Sequence, residues 1–224
     1  MHKGINRNNI NRILKLLIST YGDRPWHRRL EPVGELVQTI LSQNTSDANS
    51  GRAYSSLMQR FGSWDRIAAA SPGEIAGAIR AGGLADVKAK YIRSALSALI
   101  KEKRGFDLEF LRRLPVKEAR EWLVKLPGVG MKTASCVLLF SLGMPAFPVD
   151  THVYRVAKRL GIIDNKLSVD SAHLKLEEIV KADDIYRCHM LLIEHGRRTC
   201  KAQRPLCLKC SLAAVCPSYK TFIN

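Results

Sequence analysis

The sequence predicts an all-α protein of eight to ten helices joined by short loops. Three observations carry that prediction. Apolar residues recur at i, i+3, i+4 and i+7 in one segment after another. No segment sustains the period-2 alternation of a half-buried strand. Helix start and stop signals punctuate the chain at matching places. Ile10, Ile13, Leu14, Leu17 and Tyr21 form a first stripe, and Gly22 follows as a stop. Val33, Leu36, Val37, Ile40 and Leu41 form a second. Ala53, Leu57, Met58 and Phe61 form a third, ended by Gly62. Ser71-Pro72-Gly73-Glu74 reads as a capping box with proline at the first helical position, ahead of Ile75, Ala78 and Ile79. Further stripes run through Ile92, Ala95, Leu96 and Leu99, and through Ala119, Trp122, Leu123 and Leu126. Thr133 to Phe140 is almost wholly apolar, which predicts a buried central helix. A helix should begin near Thr151, and two more should cover Val169–Lys181 and Ile185–His195. The Gly143–Pro148 stretch, with two prolines, suits a crossing between two helical lobes.

Charge narrows the partner. The 224 residues carry 36 Lys and Arg against 20 Asp and Glu, a net charge of +16. The hydrophobic fraction of 46% and the charged fraction of 25% exclude wholesale disorder. No apolar run approaches the roughly 18 residues of a membrane span, so no membrane partner is expected. The opening Met1–Asn9 leads into a patterned segment broken by Lys15, a poor export signal. A basic surplus of this size points to a polyanion, foremost a nucleic acid, while a basic and well-solvated surface is the simpler alternative.

Three groups of residues carry chemistry. In Leu126-Pro127-Gly128-Val129-Gly130-Met131-Lys132-Thr133-Ala134, two glycines flank an apolar residue between two helices. Gly128 and Gly130 let a phosphate approach the backbone, Val129 plugs the turn from inside, and the next helix offers its positive end. A tight helix–helix turn without ligand is the alternative. Lys132 falls in the first turn of that next helix, where a cation is electrostatically misplaced. The mismatch favours the neutral amine a nucleophile needs, although a plain phosphate contact needs only the charge. Asp150 precedes the helix at Thr151 and is both an N-cap candidate and a candidate general base or stabiliser of a developing sugar cation. The two roles are compatible.

The cysteines are the third group. Four of six fall near the carboxyl end, as Cys200-x6-Cys207-x2-Cys210-x5-Cys216. Structural zinc sites use two short Cys-x(2–4)-Cys knuckles and this run has one, so the spacing favours a [4Fe–4S] cluster in a reducing compartment. The first loop carries Lys201 and Arg204 and would form a basic knuckle suited to phosphate. Cys136, on the apolar helix, reads as a small core residue and Cys188 as structural.

Together the glycine hairpin with Lys132, Val149-Asp150-Thr151-His152, His195-Gly196-Arg197 and the 6-2-5 cysteines resemble the endonuclease III family of DNA glycosylases, within the helix-hairpin-helix superfamily. The resemblance spans nearly the whole chain. It implies a six-helix barrel lobe over residues 30–145 and an iron–sulfur lobe formed by residues 1–29 and 146–224, with double-stranded DNA bound in the cleft between them. It implies that Lys132 is the Schiff-base lysine and Asp150 the essential aspartate. The loop Leu41-Ser42-Gln43-Asn44-Thr45-Ser46-Asp47 would supply the polar residue that fills the hole left by a flipped base, Asn44 by straight alignment and Gln43 one position off. A helix-end cap is the plainer reading of that loop. Leu84 matches the apolar wedge beside the vacated position, with simple core packing as its alternative. Asn44 and Met131 depart from endonuclease III, where glutamine-like and basic residues stand, and both departures bear on base choice.

The implied activity is a bifunctional DNA glycosylase and AP lyase for oxidised pyrimidines in base excision repair. Its partner would be a duplex containing a damaged base or an abasic site, the enzyme being a monomer, cytoplasmic in a prokaryote or nuclear in a eukaryote. Relatives that only remove a base carry another residue at the lysine position. Adenine-specific relatives usually carry an added C-terminal domain, whereas this chain stops eight residues after Cys216. Two alternatives stand beside this. A glycosylase of the same fold could act on T or U opposite G, or on an alkylated or methylated base. A non-catalytic iron–sulfur DNA-binding module would explain the charge and the cysteines, but would need neither Lys132 nor Asp150.

Overall fold

The computed structural model describes residues 7–102 and 105–223. Residues 1–6, the start of the segment that reads as a poor export signal, lie outside them. The described residues form eleven α-helices linked by turns and short 3₁₀ segments, with no strand among them. One helix more is present than expected. It is α4 (Trp64–Ala69), which at six residues is too short to display a periodic stripe. Its N-cap Ser63 accepts a hydrogen bond from the Arg66 amide. None of the described helices is long and apolar enough to cross a membrane.

The chain divides into two compact units. The first combines the residues up to His27 with those from Pro145 onward. It contains α1 (Arg7–Tyr21), α9 (Thr151–Arg159), α10 (Val169–Ile179), α11 (Ile185–Arg198) and the cysteine-rich loop. Helix α11 packs against both α9 and α1. The α1 stripe of Ile10, Ile13, Leu14 and Leu17 is buried, and Gly22, at φ 80°, supplies the left-handed residue that ends the helix. Gly196 lets α11 close on α9, since a Cβ there would lie 3.0 Å from the His152 Cβ.

The second unit is Arg28–Met144. Its centre is α2 (Pro32–Leu41), which packs against α3 (Asp47–Phe61), α6 (Ala85–Lys101) and α8 (Met131–Cys136). Leu36, Val37, Ile40 and Leu41 are sealed from solvent, each stabilising the fold by about 1.5–3 kcal/mol through burial. Glu31 caps α2 by accepting from the amides of Val33 and Gly34. The expected capping box opens α5 (Pro72–Ala78): Ser71 Oγ accepts from the Glu74 amide at 3.3 Å, and the Glu74 carboxylate accepts from the Ser71 amide at 2.8 Å. Helix α7 (Val116–Val124) leads into α8, which continues as a wider π-helical turn over Val137–Ser141. Thr133 to Phe140 is buried throughout, as its apolar run requires.

Candidate functional site

The glycine hairpin lies between α7 and α8. The Val129 amide donates to the Leu126 carbonyl at 3.1 Å and closes the turn. Gly128 has φ 77°, and a Cβ there would meet the Tyr91 ring at 2.6 Å, so position 128 excludes side chains twice over. Val129 is buried and plugs the turn from inside. Gly130 is the N-cap of α8 and has open space around it, and no side chain caps this helix. Substituting Gly128→Ala should therefore lower stability by roughly 1–3 kcal/mol, from left-handed strain plus displacement of Tyr91, read as a fall in denaturant midpoint.

Lys132 is the second residue of α8 and is partly exposed. One turn further on, Cys136 is buried. Burial pushes its thiol pKa up, and the Lys132 ammonium pulls it the other way. Glu35 and Arg29 also act on this thiol. Glu35 is fully buried on α2, where it binds the Arg29 guanidinium (Nε to Oε2 2.8 Å) and accepts from Thr39 Oγ1 at 3.1 Å. Sequence reasoning missed this pair. Its signal was one carboxylate inside the α2 apolar stripe.

Asp150 belongs to the first unit and is the N-cap of α9, its Oδ1 accepting from the Val153 amide at 2.7 Å. The carboxyl half of α9 holds the cysteine-rich loop. Arg155 donates to the carbonyls of Gly196 (2.9 Å) and Cys200 (3.0 Å). Arg159 donates to the carbonyls of Lys201 (2.7 Å) and Ala202 (3.0 Å) and approaches Cys200 Sγ at 3.4 Å. One helix thus carries Asp150 at its start and grips the loop at its end.

Cys200, Cys207, Cys210 and Cys216 line one cavity together with Arg159, His195 and Phe222. None of the four is in a disulfide. Burial raises the thiol pKa values of Cys207, Cys210 and Cys216. Among the described residues, no group of three or more His, Cys, Asp or Glu side chains is arranged to hold a metal ion. Cys136 and Cys188 are buried elsewhere, and burial with Asp184 nearby pushes the Cys188 thiol up to about 12.

Among the described residues, three that are not glycine have positive φ: Asn44 (52°), Leu84 (49°) and Arg204 (48°). All three were singled out from sequence as candidate DNA contacts. Such a backbone costs about 1–3 kcal/mol and persists where its surroundings enforce it. Leu84 is 57% exposed, which removes the core-packing alternative. Asn44 is exposed and Gln43 half-buried. Lys201 and Arg204 lie on an exposed loop.

Two helices joined by a glycine turn, inside an all-α fold, define a helix-hairpin-helix protein. The model of the HhH-GPD superfamily base excision DNA repair proteins matches residues 37–182. A putative DNA glycosylase of Arabidopsis thaliana is 41% identical over 162 residues, 72% of this chain. The match spans just over half (55%) of that plant protein's own length. Endonuclease III of Sulfolobus acidocaldarius is 34% identical over 82% of this chain and 81% of its own length. A structure of a trapped endonuclease III–DNA covalent intermediate superposes with a TM-score of 0.84 at 31% identity, covering 98% of this chain and all of that one. The chain belongs to the endonuclease III family of the HhH-GPD superfamily.

Proposed function

We propose that this chain is a bifunctional DNA glycosylase and AP lyase acting on double-stranded DNA that carries a damaged base or an abasic site. One observation carries the reading. Lys132 stands in the first turn of the helix after the glycine hairpin, in a chain matching a trapped enzyme–DNA covalent intermediate over nearly its whole length. Covalent trapping needs a nucleophile on the enzyme, and a lysine amine forms a Schiff base with a sugar aldehyde.

The target carbon is shielded in a stacked duplex, so the damaged nucleotide must leave the helix. Leu84 would wedge beside the vacated position, with Asn44 or Gln43 filling it. The hairpin Gly128-Val129-Gly130, Lys201 and Arg204 would hold phosphates. Neutral Lys132 Nζ then attacks C1′. The N–C1′ bond forms, the glycosidic bond breaks, and the base departs with a proton. The C1′–O4′ bond then breaks, O4′ takes up a proton and the opened sugar is held as an iminium. Loss of a C2′ proton from that iminium expels the 3′ phosphate and nicks the strand. Asp150 would take a proton or steady the developing positive charge on the sugar.

The four cysteines are proposed to hold a [4Fe–4S] cluster. All four thiols line one cavity, and the 6-2-5 spacing, with a single short knuckle, suits an iron–sulfur cluster better than structural zinc. The chemistry such a cluster supplies when bound is a cross-link that shapes the basic 201–206 loop. Purified protein should be brown with a broad absorbance near 400 nm, and a colourless zinc-loaded protein would overturn this assignment.

The base is proposed to be an oxidised pyrimidine. Duplexes carrying thymine glycol, an abasic site or T opposite G test it. Base release and nicking on the thymine glycol duplex, with nicking of the abasic duplex, support the reading. No release or nicking on the thymine glycol duplex, with nicking of the abasic duplex and release of mispaired T, transfers the specificity to mismatches. Salt-sensitive binding with no release or cleavage leaves only the DNA-binding module.

A further inference from the structure

Lys88 on α6 is 2% exposed, yet it is a lysine. It lies on the same stripe as Ile92, Ala95, Leu96 and Leu99, where an apolar residue would fill the space at no electrostatic cost. A buried ammonium persists only when hydrogen-bonded. Its Nζ donates to the carbonyl of Leu41 at 2.8 Å and to that of Gly82 at 2.8 Å. Leu41 is the last residue of α2, and Gly82 the last of the 3₁₀ segment Arg80–Gly82. Both carbonyls are helix-end acceptors, and a cation is electrostatically suited to both.

Each clamped carbonyl sits just before a candidate DNA-contacting tip. Gln43 and Asn44 lie two and three residues beyond Leu41, and Leu84 two residues beyond Gly82. Asn44 and Leu84 both hold left-handed backbones. Gly82 itself is wedged against α3, since a Cβ there would meet the Ala53 Cβ at 3.1 Å. The two exposed tips are thus fixed to one buried charge behind them.

We propose that Lys88 is a positioning residue for base extrusion. Its ammonium ties the end of α2 to the turn before α6, so that the wedge Leu84 and the gap-filling Gln43 or Asn44 meet the duplex as one rigid unit. The proposal rests on the glycosylase reading. It separates two steps: extruding a paired, stacked base needs both tips in register, whereas an abasic site has no base to extrude and depends on them less.

The test compares the full chain with Lys88→Met, which removes both hydrogen bonds at similar volume, and with Lys88→Gln, which keeps an uncharged N–H donor group on a shorter side chain. Single-turnover base release is measured on a thymine glycol duplex and nicking on an abasic duplex. Flipping is followed by the fluorescence of 2-aminopurine placed opposite the lesion. In Lys88→Met, base release should fall at least about tenfold with a matching loss of the fluorescence rise, while abasic nicking stays within about threefold of the unsubstituted protein. Lys88→Gln should fall between. Unchanged base release and fluorescence overturn the proposal, as does an equal loss of base release and abasic nicking. If Lys88→Met loses its melting transition, Lys88→Gln carries the test, and loss of the fold in both overturns positioning in favour of a purely structural role. Failure of the unsubstituted protein to release the base or nick the abasic site instead overturns the glycosylase reading.

Discussion

Replacing Lys132 with alanine should lower both base release and strand nicking by roughly a thousandfold or more, because the substitution removes the only nucleophile in the proposed mechanism. A thousandfold corresponds to about 4 kcal/mol of transition-state stabilisation. Binding should change far less. Phosphate contacts through the hairpin backbone and the 201–206 loop remain, and losing one lysine contact weakens binding only modestly and flattens its salt dependence by about one charge. The fold should survive, since Lys132 is partly exposed at the start of α8. A titration of labelled abasic duplex and a single-turnover nicking assay on the same preparation separate the two effects. Nicking that persists in Lys132→Ala would move the nucleophile to another amine.

Asp150→Asn should separate catalysis from folding at one side chain. The carboxylate caps α9 through the Val153 amide at 2.7 Å. Asparagine caps a helix about as well as aspartate, so Asp150→Asn should leave the melting temperature nearly unchanged. It removes the negative charge and the basic oxygen, so base release should fall by about 10²–10⁴-fold. Asp150→Ala should show the same kinetic loss plus about 1 kcal/mol of lost stability. Single-turnover rates and thermal melts of the two variants check this. Full activity in Asp150→Asn would reduce Asp150 to a cap.

Much of this was legible in the sequence because the signals were local. Among the described residues, ten of the eleven helices announce themselves through apolar spacing and caps, and α4 does not because six residues hold too few turns. Gly128, Val129 and Asp150 were readable because hairpin and N-cap geometry depend on a few adjacent residues. Lys88 and Glu35 were not. Each is a charge inside an apolar stripe, and periodicity reports only that the stripe is interrupted. Their partners are not fixed by helical spacing: Lys88 reaches a carbonyl 47 residues away. The left-handed backbones of Asn44, Leu84 and Arg204 were equally hidden, since none is glycine. The α9 grip on the cysteine loop through Arg155 and Arg159 was also invisible, because arginines at helical spacing look like any solvated face.

The most direct measurement incubates the protein with thymine glycol and abasic duplexes under borohydride, then maps the reduced adduct by proteolysis and mass spectrometry. The proposed chemistry predicts a DNA-linked peptide modified at Lys132 from both duplexes. No adduct on either duplex, or an adduct mapped to any other amine, would contradict it.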